Sequence, residues 1–102
     1  MARFVKVASS NEIPLGKCRV IEVDGKEVVI FNAGRVFYAI NKTCPYCGGP
    51  LSEGKLIGKE VICPWHGGSF DVTTGEVLSL PTHKSVARYN IRVIGTDIEI
   101  EI

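Results

Sequence analysis

A chain of 102 residues is the size of a single hydrophobic core. Its 45% hydrophobic and 23% charged residues are globular proportions that exclude extended disorder. A net charge of +1 argues against a nucleic-acid partner or a polybasic membrane surface. The longest apolar runs, such as Val28-Val29-Ile30-Phe31, fall far short of the ~20 residues that cross a bilayer.

Val and Ile together number 23, against 5 Ala and 5 Leu. β-branched side chains lose freedom in a helix and pack well on a pleated sheet. Apolar and polar residues alternate in Phe4-Val5-Lys6-Val7, which lacks the long apolar stretch of an export signal. A cytoplasmic location is therefore expected. Residues 9–16, with Pro14 and Gly16, read as a loop. Arg19 to Val23 reads as a strand, and Asp24-Gly25 as the two-residue turn that returns it through Val28 to Phe31. Asn32-Ala33-Gly34 is expected to close the next hairpin, before Val36 to Ile40. Gly58-Lys59 divides Lys55-Leu56-Ile57 from Glu60-Val61-Ile62, and Thr73-Thr74-Gly75-Glu76 precedes Val77-Leu78. Gly95-Thr96-Asp97 divides Tyr89 to Ile94 from Ile98 to Ile102. The expectation is eight to ten short antiparallel strands in a small barrel or stacked-sheet domain covering residues 1–102.

One short repeat carries chemistry. Cys44-Pro45-Tyr46-Cys47-Gly48-Gly49 matches Cys63-Pro64-Trp65-His66-Gly67-Gly68 as ligand, proline, aromatic, ligand, glycine, glycine. Two ligands separated by two residues face one ion only if the chain curls tightly, and glycine supplies the positive φ that ends the curl. Proline stiffens such a turn, and its amides point at the sulfurs and offset their charge. Cys44, Cys47, Cys63 and His66 offer three sulfurs and an imidazole, which suits tetrahedral iron or zinc. With no export signal, the four cysteines are not expected to form a disulfide framework.

Cys63-Pro64-Trp65-His66-Gly67-Gly68-Ser69-Phe70-Asp71, followed by Thr74-Gly75-Glu76 and Leu80-Pro81, resembles the second half of a Rieske ferredoxin motif. Asn41 to Cys44 and Gly48-Gly49-Pro50-Leu51 resemble the first half, and the likeness runs from about Lys17 to Ile100. The resemblance implies an all-β fold of stacked antiparallel sheets. Two hairpin loops in a small metal-binding subdomain, about residues 42–82, would hold the cofactor. It also implies an electron carrier rather than an enzyme, serving redox partner proteins such as a reductase and an oxygenase. A monomer is expected, because nothing long and apolar demands a dimer.

The family motif is Cys-x-His in the first loop and Cys-x-x-His in the second, around a [2Fe-2S] cluster. Here Tyr46 stands where the first histidine is expected, and Cys47 supplies a thiolate one position later. The first loop thus resembles a rubredoxin knuckle. Two adjacent departures in an otherwise intact motif have the pattern of an engineered loop. Exchanging an imidazole for a thiolate leaves a binuclear cluster with one negative charge when oxidised and two when reduced. One ferric ion with three thiolates is neutral, then singly negative, and a buried site favours the smaller charge. One iron or zinc held by Cys44, Cys47, Cys63 and His66 is the first expectation. A [2Fe-2S] cluster with Cys47 in place of one histidine, and a redox-silent structural zinc, are the alternatives.

High-potential Rieske proteins brace the two loops with a disulfide, at the positions of Gly49 and Trp65 here. They also donate hydrogen bonds to the cluster from a Ser and a Tyr, where this chain has Gly68 and Phe70. The low-potential kind is therefore implied. Cys18 is expected to be a buried thiol, and His83 a loop histidine that is a conceivable further ligand. Tyr46 and Trp65 are expected to cover the site or an adjoining apolar face. Lys55, Lys59 and Lys84 read as a solvated face.

Overall fold

A computed structural model describes residues 3–65, 67–79 and 84–102. His66 and His83 of the predicted site region lie outside them. Among the described residues eleven strands, one more than the expected eight to ten, form three antiparallel sheets, and no α-helix occurs.

The first sheet joins β1 (Phe4–Ser9), β11 (Asp97–Glu101) and β10 (Ile91–Ile94), in that order. The second joins β2 (Cys18–Val23), β3 (Lys26–Ala33), β4 (Val36–Asn41) and β9 (Arg88–Tyr89). The third joins β5 (Lys55–Ile57), β6 (Glu60–Ile62), β7 (Ser69–Asp71) and β8 (Val77–Ser79). Single 3-10 turns occur at Ser10–Glu12 and Leu51–Glu53.

The middle sheet is covered on both faces, and β3 shows why. Side chains alternate across a strand. Val28 and Ile30 pack with Ala8, Ile13, Ile21, Ile98 and Ile100 toward the first sheet. Val29, Phe31 and Ala33 pack with Leu51, Val61, Phe70 and Val72 toward the third. The unbroken apolar run 28–31 is therefore a strand buried on both sides, each side chain contributing about 1.5–3 kcal/mol on burial. Cys44 and Cys63 belong to the second of these cores.

Most predicted turns stand. Asp24 and Gly25 both take positive φ, 53° and 77°, as a tight hairpin between twisted strands requires. Three expectations are corrected. Asn32 and Ala33 stay in β3, opposite Phe37 and Val36, and the turn falls on Gly34-Arg35. The Asn32 side chain makes this possible. Its Oδ1 accepts the Arg35 N–H at 3.0 Å and its Nδ2 donates to the Ile13 carbonyl at 2.9 Å. The run Tyr89 to Ile94 is not one strand. Asn90 breaks it, its carbonyl accepting the Glu101 N–H at 2.9 Å, so Tyr89 pairs with Ala39 while Ile91 pairs with Ile100 in another sheet. The loop 9–16 contains the short turn at Ser10–Glu12, where the Ser9 N–H donates to Glu12 Oε1 at 2.7 Å.

Candidate metal centre

The two halves of the sequence repeat form the same turn. In the first, the Cys44 N–H donates to the Gly49 carbonyl at 2.9 Å and the Gly48 N–H donates back to the Cys44 carbonyl at 3.0 Å. In the second, Cys63 donates to Gly68 at 2.7 Å and Gly67 donates to Cys63 at 3.2 Å. Gly48 and Gly67 carry φ of 78° and 76°, left-handed values that side chains with a Cβ rarely adopt. A bridge between Thr43 and Pro50 closes the base of the first loop. The β6–β7 pairing of Ile62 with Ser69 closes the second.

These loops bring Cys44, Cys47 and Cys63 together, their three Sγ atoms all within 4.8 Å of one another. Cys47 and Cys63 approach to 3.3 Å. Thiolates about 2.3 Å from one tetrahedral ion lie roughly 3.8 Å apart, so the three sulfurs fit a soft metal ion. Cys44 and Cys63 are buried, and Cys47 is half-buried. Burial pushes the Cys47 thiol up to about 11; the Gly49 amide, donating to its Sγ at 3.4 Å, pulls the other way, and the Cys63 and Cys44 thiols add to the rise. A metal ion bound here displaces those protons.

Cys18 stands apart. It is half-buried rather than buried, and its Sγ donates to the Ser52 carbonyl at 3.3 Å, so it ties β2 to the turn that follows the first loop. Tyr46 and Trp65 are 51% and 59% exposed, and the root of the Trp65 indole faces Gly49 of the first loop. An open recess of about 400 Å³ lined by Arg35, Val36, Phe37 and Val93 sits at the other end of β4 from Cys44 and contains none of the predicted ligands. No helix of the described residues is long and apolar enough to cross a membrane.

A model of the Rieske [2Fe-2S] domain matches residues 3–90. This chain belongs to the Rieske [2Fe-2S] domain family. Similar proteins include the ferredoxin component of the naphthalene 1,2-dioxygenase system of Pseudomonas aeruginosa. It is 30% identical over 100 residues, 98% of this chain and 96% of that protein. The ferredoxin of carbazole 1,9a-dioxygenase from Nocardioides aromaticivorans IC177 superposes with a TM-score of 0.90 at 34% identity, over 95% of each chain. A ferredoxin solved in a complex of reduced oxygenase and oxidised ferredoxin of carbazole 1,9a-dioxygenase superposes at 0.89 and 30% identity, over 95% of this chain and 91% of that one.

The Rieske family accounts for the stacked sheets and the paired loops. It makes the chain an electron carrier with an iron–sulfur cofactor rather than a catalyst. The chemistry of the donor set agrees, since clustered thiolates are soft ligands that suit iron. Sequence reasoning missed the Cys18–Ser52 contact, for which no local signal exists, whereas the nearness of Gly49 to Trp65 follows the positions of the disulfide that braces high-potential Rieske proteins.

Proposed function

We propose that this chain is the ferredoxin of an oxygenase-type electron-transfer system, with a [2Fe-2S] cluster held by Cys44, Cys47, Cys63 and His66. Cys47 takes the place of one of the two histidines of the Rieske motif. The observation that carries this reading is the gathering of Cys44, Cys47 and Cys63 by two matching loops in a Rieske domain. We take residues 42–82 as the cluster-binding part. The proposal holds whether residues 46 and 47 were designed or inherited.

A cluster bound there supplies a one-electron couple. The chain contributes the rest. Cys44 and Cys63 sit in the core below the loops, which excludes water from two of the sulfurs. The Gly49 amide donates to Cys47 Sγ and offsets its charge. The exposed Tyr46 and Trp65 leave this end of the molecule open to a partner. A reductase delivers the electron, as the resemblance implies, and an oxygenase takes it, by analogy with the oxygenase systems named for the similar ferredoxins.

A second reading has its own observation. The three sulfurs lie within 4.8 Å of one another, near enough to share one ion, and a mononuclear iron held by the same residues carries less charge. Iron, zinc and acid-labile sulfide per chain separate the possibilities. Two irons and two sulfides support the cluster. One iron without sulfide, in a red protein, overturns it in favour of the mononuclear site. One zinc in a colourless protein overturns both.

A further inference from the structure

Gly48 and Gly49 are neighbours, but a side chain would meet a different obstacle at each. Gly48 has φ of +78°, and the space where a side chain would stand is open. Gly49 is not in the left-handed region, so its backbone suits any residue. Space is what a side chain would have to win there, by pushing the indole aside. A Cβ on Gly49 would lie 3.0 Å from Trp65 Cδ2, 3.1 Å from Trp65 Cγ and 3.2 Å from Cys63 Sγ. The root of the indole, carried by the second loop, is seated on the backbone of the first, beside a ligand sulfur.

The backbone hydrogen bonds described above close each loop on itself. The loops also hang from different supports, one from the Thr43–Pro50 bridge and the other from β6 and β7. Cys44 and Cys63 share one core at the base, and contacts across the gap settle how the outer parts of the two loops sit on each other. Trp65 is mostly exposed, so its seat on Gly49 is not a by-product of filling the core.

We propose that Trp65 is a positioning residue, its indole clasped on Gly49 so that the two loops hold their ligands at one spacing. The inference rests on the reading of these loops as the iron-holding pair. Contacts just outside a metal's ligands commonly change its retention 10- to 100-fold, although they never touch the ion.

The test compares iron release to a ferrous chelator from the unmodified protein, W65A, W65F, G49A and W65A/G49A. Iron content of the unmodified protein is measured first, and that number judges the iron-site reading alone. Ratios between variants judge the clasp. W65A and G49A should each release iron about tenfold faster. W65F should restore most of the loss, and the double variant should be no faster than either single one. Trp65 is the only tryptophan, so its emission reports on the clasp directly. G49A should shift that emission to the red and increase its quenching by acrylamide, in metal-free protein as well as loaded. The emission result decides the matter for any variant that fails to load iron. Release unchanged in both single variants, single effects that multiply in the double variant, or an unmoved emission in G49A would each overturn the proposal.

Discussion

Cys47 and Cys63 come from different loops, with 15 residues between them, and their sulfurs meet at 3.3 Å. The thiol that departs from the Rieske motif thus lies beside one that the motif shares. C47S should lower metal retention about tenfold or more, because a serine hydroxyl is a poor ligand for a soft metal at neutral pH. C18S should leave metal content unchanged, because a hydroxyl can still donate to the Ser52 carbonyl. Metal per chain after gel filtration with a chelator gives the answer. Loss in C18S with retention in C47S would show the ligand set to be wrong.

Y46H combined with C47K restores the ligand pattern of the family. A neutral imidazole replaces a thiolate, so the reduced state carries one less negative charge. The reduction potential should rise by on the order of 100 mV, with two irons and two sulfides retained. Spectroelectrochemistry measures the shift. A fall in potential, or a single iron without sulfide, would contradict the placement of Cys47 on a binuclear cluster.

Leu51 is fully buried just after the first loop, and its N–H donates to the Lys42 carbonyl at 2.7 Å. Its side chain anchors that loop in the core shared with Phe31 and Phe70. L51A should cost about 2–5 kcal/mol in urea unfolding. A change below about 0.5 kcal/mol would mean that the loop is not anchored there.

Asp71 opens the turn to β8. Its Oδ1 accepts the Thr73 hydroxyl at 2.6 Å and the Thr73 N–H at 2.8 Å. The hydroxyl bond, outweighing burial, holds the carboxyl below its ordinary range. A carboxyl depressed in the folded state stabilises fully above its unfolded value, near pH 4, and that contribution is lost as pH falls through the folded value. T73A removes the hydroxyl bond, so it should raise the Asp71 pKa and cost about 1 kcal/mol at neutral pH. Urea midpoints at descending pH should show the deficit shrinking once Asp71 is protonated in both proteins. A deficit that stays constant through the acid range would contradict the assignment.

Much of this protein was legible in its residues. Alternation and β-branched composition give strands because a pleat repeats every two residues, and turn residues mark ends because φ is a local property. The paired loops were legible for the same reason. Their spacing and glycines act within six residues, and both halves of the repeat fold alike. Only the tertiary structure decided what depends on distant partners. Asn90 looks like one more strand residue until Glu101 captures its carbonyl and turns the chain into another sheet. Asn32 looks like a turn residue, yet it stays in β3 because Ile13 and Arg35 satisfy its side chain. Gly49 looks like a repeat of Gly48, but what a side chain there would press on is an indole 16 residues further along the chain. Local sequence specifies the backbone a segment prefers. The matched knuckles announced that the three sulfurs meet, but their spacing and the seat of the Trp65 indole are set by packing between distant segments.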